Sequence, residues 1–581
     1  MHTIARRILP LRTVTLMCAA LSALSPIAVA GTPQPPSFAY QSHAHFPGTP
    51  YGSFATEVTN DAAGNLIALG RFSGSTDFDM TTGVSVMTTT EYQSVFIAKY
   101  SPSNQLLWTK KIVPDQPSSD LSLQGVHTDS AGAIFIFGSI IGSVDMDPGA
   151  GVFNLVELNQ AAGLAPGDYD GFIAKYDASG AFQWAFIIGA PNPFCGQFCP
   201  SYAVSDVVTD ASNNVFVTGD FGNNGLYSTD FDPGSGTVTR PNAGSADVYL
   251  AKYSSAGAFL GVTSFGGPSD DTPSALRLSS NNTLVLSGGF TGSVDFDASA
   301  ATTILHANGA NTDFFAARYT TELSLVWAVG GGGSSANENY FRFAEDPSGN
   351  LYLISTIKDA GMQVDFDPGA GSAVFTGQGS GDIVIVKLNA SGGFVWAKHL
   401  ATPGYEGGLD AQIDSEGNPW FALRFYGNLD LDPNAGTHFI NGNNAGHAVV
   451  KLSPAGELLE VYNFSGANYA NAYELSRLHF ATPTTLLVNG TVTGTADMNP
   501  GIGSALVTSA NSSTLYPDWV LTTLIRIAPP IVGDIDGNGS VGGADLARLL
   551  GAWGTNNAAA DLNRDGTVDG IDLGPLLSNW S

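Results

Sequence analysis

The sequence predicts an all-β fold, a seven-bladed β-propeller closed by an N-terminal strand, with a small α-helical domain built from a duplicated loop at the C-terminus. Three observations lead to this prediction. One unit of sequence occurs seven times in succession at nearly regular spacing. A segment near the N-terminus matches a strand that the seventh copy lacks. A shorter unit of loop and helix occurs twice after residue 533.

The first thirty residues have the pattern of a secretory signal peptide. Three arginines precede an apolar run over residues 14–24, and Ala28-Val29-Ala30 forms a cleavage sequence before Gly31. A membrane anchor needs roughly 18 to 20 apolar residues, which this run does not supply. We therefore expect residues 1–30 to be removed, no transmembrane segment, and a secreted protein that is extracellular or attached to the cell surface.

The charge balance argues against polyanionic partners. The chain has 22 Lys and Arg against 51 Asp and Glu. Removal of residues 1–30 takes three arginines and no acid, which leaves 19 basic residues and a formal charge of −32. Such a chain repels nucleic acid and anionic membranes and attracts divalent cations.

Two cysteines remain once the signal peptide is removed, close together in one loop. In an exported chain we expect a disulfide between Cys195 and Cys199, which would pin that loop. A free or metal-bound pair is the alternative. Neither state predicts an activity.

Each of the seven repeats contains an acidic turn and a strand that ends in a basic residue. The strand is clearest in Phe96-Ile-Ala-Lys99-Tyr100 and Phe172-Ile-Ala-Lys175-Tyr176. The acidic turns, in chain order, are Asp77-Phe-Asp79, Asp145-Met-Asp147, Asp230-Phe-Asp232, Asp295-Phe-Asp297, Asp365-Phe-Asp367, Asp430-Leu-Asp432 and Asp497-Met-Asn499.

Each repeat has room for four strands. In the fifth repeat, alternation of apolar and polar residues marks strands over residues 341–345, 350–354, 382–387 and 393–398. Four antiparallel strands repeated around a ring form a propeller, expected over residues 31–528. A β-sandwich or a row of separate domains is the alternative, but four-stranded units of this size could barely stand alone, and no proline-rich linkers separate them.

The ends of the repeat region predict how the ring closes. The seventh repeat runs from Arg526 into Ala528-Pro529-Pro530 without a fourth strand. Residues 37–43, followed by Pro47-Gly48, align without gaps on residues 393–399 of the fifth repeat, followed by Pro403-Gly404. We expect this N-terminal segment to complete the last blade and leave no open sheet edge.

The repeats resemble the bacterial seven-bladed β-propeller repeats, whose consensus joins a V-D-x-x-G-N turn, an F-x-x-K strand and an apolar strand ending in Gly-Gly. Asn60-Asp61-Ala-Ala-Gly64-Asn65, Phe96-Ile-Ala-Lys99 and Phe265-Gly266-Gly267 stand in those places. The resemblance spans about residues 36 to 528. It implies the fold and an exported protein rather than an activity.

The segment after residue 533 contains the spacing of a calcium loop twice. Oxygen-bearing side chains stand at loop positions 1, 3, 5 and 12, glycine stands at position 6, and position 7 is due to offer a backbone carbonyl. A single copy could be an ordinary turn. Here both copies precede the same apolar helical stripe, in which Leu546, Leu549, Leu550 and Trp553 recur in the second copy as Leu573, Leu576, Leu577 and Trp580. The predicted calcium ligands are Asp534, Asp536, Asn538, Ser540 and Asp545, and then Asp561, Asn563, Asp565, Thr567, Asp569 and Asp572.

This tail resembles a type I dockerin, the duplicated calcium-loop module that binds cohesin domains. The resemblance implies calcium-dependent folding over residues 534–581, after a linker at 529–533, and a cohesin-like partner. The loop positions that contact cohesin in that family are Gly543-Ala544 and Gly570-Ile571 here, rather than hydroxyl residues. A different cell-envelope protein is therefore the alternative partner.

Two further features of the repeats allow a functional and a structural interpretation. The acidic turns could form weak calcium sites, but two carboxylates are few ligands, and aspartate with Pro-Gly also builds ordinary turns. The tryptophans at one repeat position could form a carbohydrate-stacking platform, but packing between blades is the expectation. These tryptophans are Trp108, Trp184, Trp327 and Trp396, with Gly261 and Glu460 in the third and sixth blades.

No catalytic constellation stands out from the repeats. Histidines such as His127 and His479 stand at unrelated repeat positions, and none lies in a metal-ligand or nucleophile motif. The insertion between Gly189 and Ser205 is the one irregular feature that could carry a site.

The sequence thus favours a secreted, non-catalytic propeller scaffold or binding protein, attached through its calcium-binding tail, with carbohydrate as a further ligand to consider. A polysaccharide-active hydrolase or lyase delivered by the same tail is the alternative, and a purely structural envelope protein is a third. Whether the chain is an enzyme stays open, and the sequence leans against it.

Overall fold

The computed structural model describes most of the repeat region and part of the tail. Cys195, Cys199, Asp534, Asp536, Asn538, Ser540, Asp565 and residues 1–30 lie outside the described residues. The described residues are 36–47, 52–91, 93–116, 118–163, 169–190, 203–222, 228–309, 311–333, 338–442, 445–464, 473–501, 504–510, 517–527, 533, 535, 541–557, 560–563, 567–578 and 580.

The repeats form seven four-stranded antiparallel sheets, the blades of a propeller. A short hairpin lies between the second and third strands of most blades. The N-terminal strand is β1 (Phe38–Phe46). Blade 1 contains β2 (Ser53–Asn60), β3 (Leu66–Phe72), β4 (Ser75–Asp77), β5 (Val86–Thr88), β6 (Ser94–Tyr100) and β7 (Leu106–Ile112). Blade 2 contains β8 (Asp120–Thr128), β9 (Ile134–Ile141), β10 (Ser143–Asp145), β11 (Asn154–Val156), a one-turn helix α1 (Leu158–Ala161), β12 (Asp170–Tyr176) and β13 (Phe182–Ile188).

The next three blades repeat this order. Blade 3 contains β14 (Ala203–Thr209), β15 (Val215–Phe221), β16 (Asp247–Tyr253) and β17 (Phe259–Phe265). Blade 4 contains β18 (Thr272–Leu278), β19 (Thr283–Thr291), β20 (Ser293–Asp295), β21 (Ile304–His306), β22 (Thr312–Thr320) and β23 (Leu325–Gly331). Blade 5 contains β24 (Glu338–Glu345), β25 (Leu351–Ile357), β26 (Gln363–Asp365), β27 (Val374–Thr376), β28 (Asp382–Leu388) and β29 (Phe394–Leu400), at the four strand positions predicted from its sequence.

The last two blades lead into the tail. Blade 6 contains β30 (Glu406–Ile413), β31 (Pro419–Phe425), β32 (Asn428–Asp430), β33 (Phe439–Asn441), β34 (Gly446–Leu452) and β35 (Leu458–Asn463). Blade 7 contains β36 (Tyr473–Thr482), β37 (Thr485–Val492), β38 (Thr495–Asp497), β39 (Leu506–Thr508) and β40 (Asp518–Arg526). The tail contributes helices α2 (Gly543–Gly551) and α3 (Leu573–Ser578). The predicted fold class is confirmed.

The N-terminal strand closes the ring, as the sequence predicts. Blade 7 has the strand order β1-β40-β37-β36, so its fourth strand comes from the opposite end of the repeat region. β1 pairs antiparallel with β40 from Phe38 opposite Arg526 to Phe46 opposite Trp519. The rings of Phe46 and Trp519 are stacked, with centroids 3.9 Å apart. The pairing of β1 therefore both covers the open edge of blade 7 and buries aromatic surface.

Equivalent positions of the repeat join neighbouring blades. Lys99 Nζ lies 2.8 Å from Asp61 Oδ2 in its own blade and donates to the carbonyl of Ala178 in the next blade at 3.0 Å. Trp396 is half-buried, and its Nε1 donates to the carbonyl of Pro454 at 3.2 Å. The tryptophan contact agrees with the expectation that this position packs blades together, and the lysine adds a second contact between blades.

The first strand of each blade lies nearest the propeller axis, since the first strands of neighbouring blades contact one another around the ring. Each of these seven strands has a register shift of the bulge type. Glycine on the second strand permits the bulge in several blades, because a Cβ on Gly70 or Gly138 would lie 2.1 or 2.0 Å from an inner-strand carbonyl oxygen. A bulge changes the direction of the next side chain, and these bulges shape the channel.

The tail buries part of its apolar stripe. Its core includes Val541, Leu549, Val568 and Leu576, all fully buried. Leu546 and Leu573 pack partly against this core. The other members of the predicted stripe are about half-exposed: Leu550 (52%), Trp553 (46%), Leu577 (56%) and Trp580 (45%). Among the described helices, none has the length and apolarity to cross a membrane.

Candidate functional site

Seven equivalent positions line the central channel, one on the inner strand of each blade. We call them the channel ring. Each member follows the bulge of its strand directly, so the same backbone irregularity places all seven. In blade order they are Glu57, Gly125, Asp206, Ala275, Arg342, Asp410 and Arg477. The ring therefore carries three acids and two arginines. A position with only a structural role would have the same type of residue in every repeat.

The three acids of the channel ring connect neighbouring blades. Glu57 Oε2 accepts a hydrogen bond from the backbone N–H of Val126 at 3.1 Å. Asp206 Oδ2 accepts one from Leu276 at 2.8 Å, and Asp410 Oδ2 accepts one from Leu478 at 2.9 Å. Burial raises the pKa of Glu57, and Arg477 opposes that effect. Each of the three carboxylates thus accepts from backbone, Asp206 through both of its oxygens.

Arginine side chains are interspersed with these acids around the channel. Arg277, two residues beyond the channel ring in blade 4, donates from Nη1 to Asp206 Oδ2 at 2.9 Å. Repulsion by Arg477, followed by burial, lowers the pKa of Arg342 to about 10. Arginine is positively charged in proteins at neutral pH, so Arg342 and Arg477 form a like-charged pair in the channel.

Two histidines stand at one equivalent position, two residues beyond the channel ring. His127 Nε2 lies 2.9 Å from Thr209 Oγ1, and His479 Nε2 is hydrogen-bonded to Asn60 Oδ1. Burial lowers the pKa of each histidine to about 4. Both imidazoles are therefore neutral at pH 7. The prediction that these histidines occupy unrelated repeat positions is wrong.

These side chains enclose a cavity of about 390 Å³. A second depression of about 630 Å³ shares Arg277, Leu278 and Gln412 with it, at the end of the channel where the first two strands of each blade turn. The channel thus combines guanidinium groups that can bind anions, neutral imidazoles that can accept a proton, and carboxylates. These are the groups of a polar ligand site or of acid–base chemistry.

The ring positions can be located in the sequence by their distance from the turn that follows each inner strand. Each ring residue stands four positions before the turn that follows its strand: Glu57 before Asp61, Asp206 before Asp210, Arg342 before Asp346 and Asp410 before Asp414. The insertion after Gly189, the site the sequence pointed to, lies largely outside the described residues.

The acidic turns are satisfied by their own backbone. In all seven, Oδ1 of the first aspartate accepts hydrogen bonds from the N–H groups two and eight residues further on. Asp365, for example, accepts from Asp367 at 3.1 Å and from Ala373 at 2.7 Å. Within the part of the chain that the structure describes, no group of three or more His, Cys, Asp or Glu side chains is arranged to hold a metal ion. These contacts support the structural interpretation of the turns.

The two tail loops place their last carboxylate identically. Asp545 Oδ1 accepts from the N–H of Ile535 at 2.7 Å and Oδ2 from Gly542 at 2.8 Å. Asp572 accepts from Leu562 at 2.6 Å and from Asp569 at 2.8 Å, the equivalent residues of the second copy. Both aspartates are fully buried.

The donor set of these loops suits a hard cation. Burial raises the pKa of Asp572, but backbone N–H groups outweigh that effect and the net shift is downward, so the carboxylate is anionic at neutral pH. Asp561, Asn563, Thr567 and Asp569 belong to the same loop, and Asp561 is 7% exposed. Oxygen ligands alone, with a buried carboxylate at position 12, fit calcium.

Comparison with known proteins identifies the tail. Residues 532–576 match the dockerin type I domain family. The chain is 22% identical over 374 residues to an uncharacterized WD repeat-containing protein of Acanthamoeba polyphaga mimivirus, a match that covers 55% of this chain and 25% of that protein. The chain thus spans about a quarter of the length of that relative.

Solved structures with a similar arrangement include two polysaccharide lyases. The lyase Uly1 has a TM-score of 0.40 at 10% identity, over 86% of this chain and all of that one. An ulvan lyase bound to its oligosaccharide has a TM-score of 0.39 at 11% identity, over 77% of this chain and 92% of that one. Likenesses of this degree carry no argument about activity.

Proposed function

We propose that this chain is a secreted or surface-associated propeller that binds a ligand and is held in place by calcium-dependent attachment of its dockerin type I domain. The observation that carries the proposal is the identical placement of Asp545 and Asp572 at the ends of two successive loops. Two independent turns would not share both carboxylate contacts.

Calcium would be held by Asp534, Asp536, Asn538, Ser540 and Asp545 in the first loop and by Asp561, Asn563, Asp565, Thr567, Asp569 and Asp572 in the second. The described core of the tail is small, centred on Val541, Leu549, Val568 and Leu576. Such a core offsets little chain entropy. Calcium would supply binding free energy that couples directly to folding of the tail.

The exposed face of the tail supports attachment to a protein. Leu550 and Trp553 are exposed at the same positions as Leu577 and Trp580 in the second copy. Exposed apolar side chains grouped on a small domain mark a protein contact surface. A cohesin domain is the partner that the family match favours. A different cell-envelope protein is the alternative, because Gly543-Ala544 and Gly570-Ile571 replace hydroxyl residues.

Capture of the intact chain on an immobilised cohesin domain tests this proposal. We expect binding in calcium and none in excess chelator. The Leu550→Ala and Leu577→Ala double variant should bind about thirty- to seven-hundredfold more weakly, since each buried leucine contributes about 1 to 2 kcal/mol at an interface and the two together about 2 to 4 kcal/mol. Val152→Ala, an exposed apolar residue of the propeller, is the matched control. Binding that persists in chelator contradicts the proposal.

The domain bounds belong to the same proposal: a signal peptide over residues 1–30, the propeller over 31–528, a linker over 529–533 and the tail over 534–581. Export through the signal peptide would allow the disulfide between Cys195 and Cys199 to form. Mass spectrometry of the secreted chain, before and after reduction, determines its first residue and whether this cysteine pair is oxidised.

A polysaccharide-active hydrolase or lyase is the second candidate function. The channel favours it over the purely structural role, since neutral His127 and His479 lie in one cavity with Asp206 and Asp410. Assays on neutral and acidic polysaccharides decide between the two candidates. Chain cleavage that is abolished in His127→Gln promotes the enzyme. Absence of turnover, which we expect, supports the binding role.

A further inference from the structure

The channel concentrates arginine in a strongly acidic chain. Only ten arginines follow residue 30, against 51 acidic residues in the whole sequence. Three of these arginines, Arg277, Arg342 and Arg477, line the 390 Å³ cavity. Arginine presents a planar fork of N–H donors that matches carboxylate and sulfate groups. The grouping of three arginines in one cavity therefore needs a physical explanation.

Arg342 and Arg477 are not explained by ion pairs within the channel. Arg277 has a carboxylate partner, since its Nη1 lies 2.9 Å from Asp206 Oδ2. Among the residues that the structure describes, no carboxylate oxygen lies within 4.0 Å of a guanidinium nitrogen of Arg342 or Arg477. Arg477 Nη1 donates to a neighbouring backbone carbonyl, that of Ser476, at 3.1 Å. Within the described part of the channel, two guanidinium groups thus repel each other without a carboxylate in contact.

The ring carboxylates beside these arginines accept hydrogen bonds from backbone N–H groups of neighbouring blades. Asp410, which lies between Arg342 and Arg477 in ring order, accepts from the backbone of Leu478, and Glu57 accepts from Val126. Gly125 leaves room for the Glu57 side chain, because a Cβ there would lie 2.3 Å from Glu57 Oε2. These carboxylates therefore join blades, and the donors of Arg342 and Arg477 stay available to a ligand that enters the channel.

We propose that the central channel binds a small ligand that carries a carboxylate or sulfate group, with Arg342 and Arg477 holding the anion. The cavity is larger than a free anion requires, and hydroxyl, amide and imidazole groups on Thr59, Gln412 and His479 also line it. A sugar unit with an acidic substituent matches both the volume and this lining. The inference rests on the proposed role of the propeller as a binding module and is independent of the tail.

The competing explanation is that ring charges of alternating sign only stabilise the channel. It predicts that loss of both arginines weakens the fold. Ligand binding predicts in addition that an anion raises the thermal midpoint and that this shift depends on Arg342 and Arg477. The two explanations therefore differ in whether an anionic ligand changes the stability through these two arginines.

Thermal unfolding of the intact chain in calcium, with sodium glucuronate, glucose or sodium sulfate at matched ionic strength, tests the proposal. We expect glucuronate to raise the midpoint of the wild type and of the control Lys111→Gln, a lysine outside the channel, and glucose to leave both unchanged. In the Arg342→Gln and Arg477→Gln double variant the glucuronate shift should vanish, measured from that variant's own midpoint without ligand. Sulfate stabilises folded proteins in general, so only a sulfate shift that is lost in the double variant extends the ligand class to sulfate esters, and a shift of equal size in both proteins restricts the class to carboxylates.

Equal effects of glucuronate and glucose on the wild type overturn the proposal, and so does a glucuronate shift that persists in the double variant. Should the double variant fail to fold, Arg342→Gln alone must still lose most of the shift. Capture on the cohesin domain is measured on the same variants. Because the tail is unchanged in them, that capture separates failure of this inference from failure of calcium-dependent attachment.

Discussion

Ser37 and Glu460 are joined by hydrogen bonds although they stand near opposite ends of the repeat region. Ser37 Oγ donates to Glu460 Oε1 at 2.7 Å, and the Ser37 backbone N–H donates to Oε2 at 2.6 Å. Glu460 is buried and stands at the position that tryptophan occupies in four other blades. The blade next to the N-terminal strand therefore replaces an aromatic contact by a carboxylate that holds the start of β1.

Deletion of residues 36–46 should destabilise the whole propeller by several kcal/mol. The deletion removes the buried Phe38 and Phe46 side chains and leaves β40 as an open sheet edge. Urea unfolding of the deleted chain, compared with a control chain that begins at residue 36, measures the effect. Coincident unfolding midpoints would show that β1 does not close the ring.

Glu460→Ala should lower the free energy of unfolding by about 1 to 3 kcal/mol, because it leaves Ser37 and Tyr462 without their acceptor in a buried site. Glu457→Ala, three residues earlier and exposed, is the matched control and should change stability by less than about 0.5 kcal/mol. If both variants lose the same free energy of unfolding in urea titrations, the hydrogen bonds between Ser37 and Glu460 do not stabilise the fold.

The strands and the closure could be predicted from the sequence because both follow from local pattern. Alternation marked the four strands of blade 5, and a gapless match marked β1. The channel ring could not be found that way, since Glu57 and Arg477 belong to the first and last blades and come together only through the ring. Their common feature is the bulge before them, which apolar periodicity does not report.

Part of the apolar stripe of the tail stays exposed for a related reason. Periodicity identifies which side chains share a helix face, but the width of the buried face depends on the partner. Here α2 and α3 are nine and six residues long and pack on each other. Leu549 and Leu576 fill that contact, and Leu550 and Leu577 remain at its exposed margin.

Acidification should destabilise the wild type more than the His479→Gln variant. Burial lowers the pKa of His479 from 6.5 to about 4. Its contribution to stability is therefore complete above about pH 6.5 and is lost as the pH falls toward about 4. We expect the advantage of the wild type over His479→Gln to shrink by on the order of 2 kcal/mol across that range. Urea unfolding at several pH values measures it, with exposed His306→Gln as the control, and a pH-independent difference contradicts it.

Calcium titration of the intact chain from residue 31, compared with a chain that ends at residue 527, tests the central claim most directly. By calorimetry the intact chain should bind two calcium ions, and Asp545→Asn and Asp572→Asn should each remove one. The shortened chain should bind none tightly, because backbone N–H groups already engage the acidic turns. Equal calcium uptake by the two chains would place the metal in the propeller turns and contradict a calcium-dependent attachment module at the C-terminus.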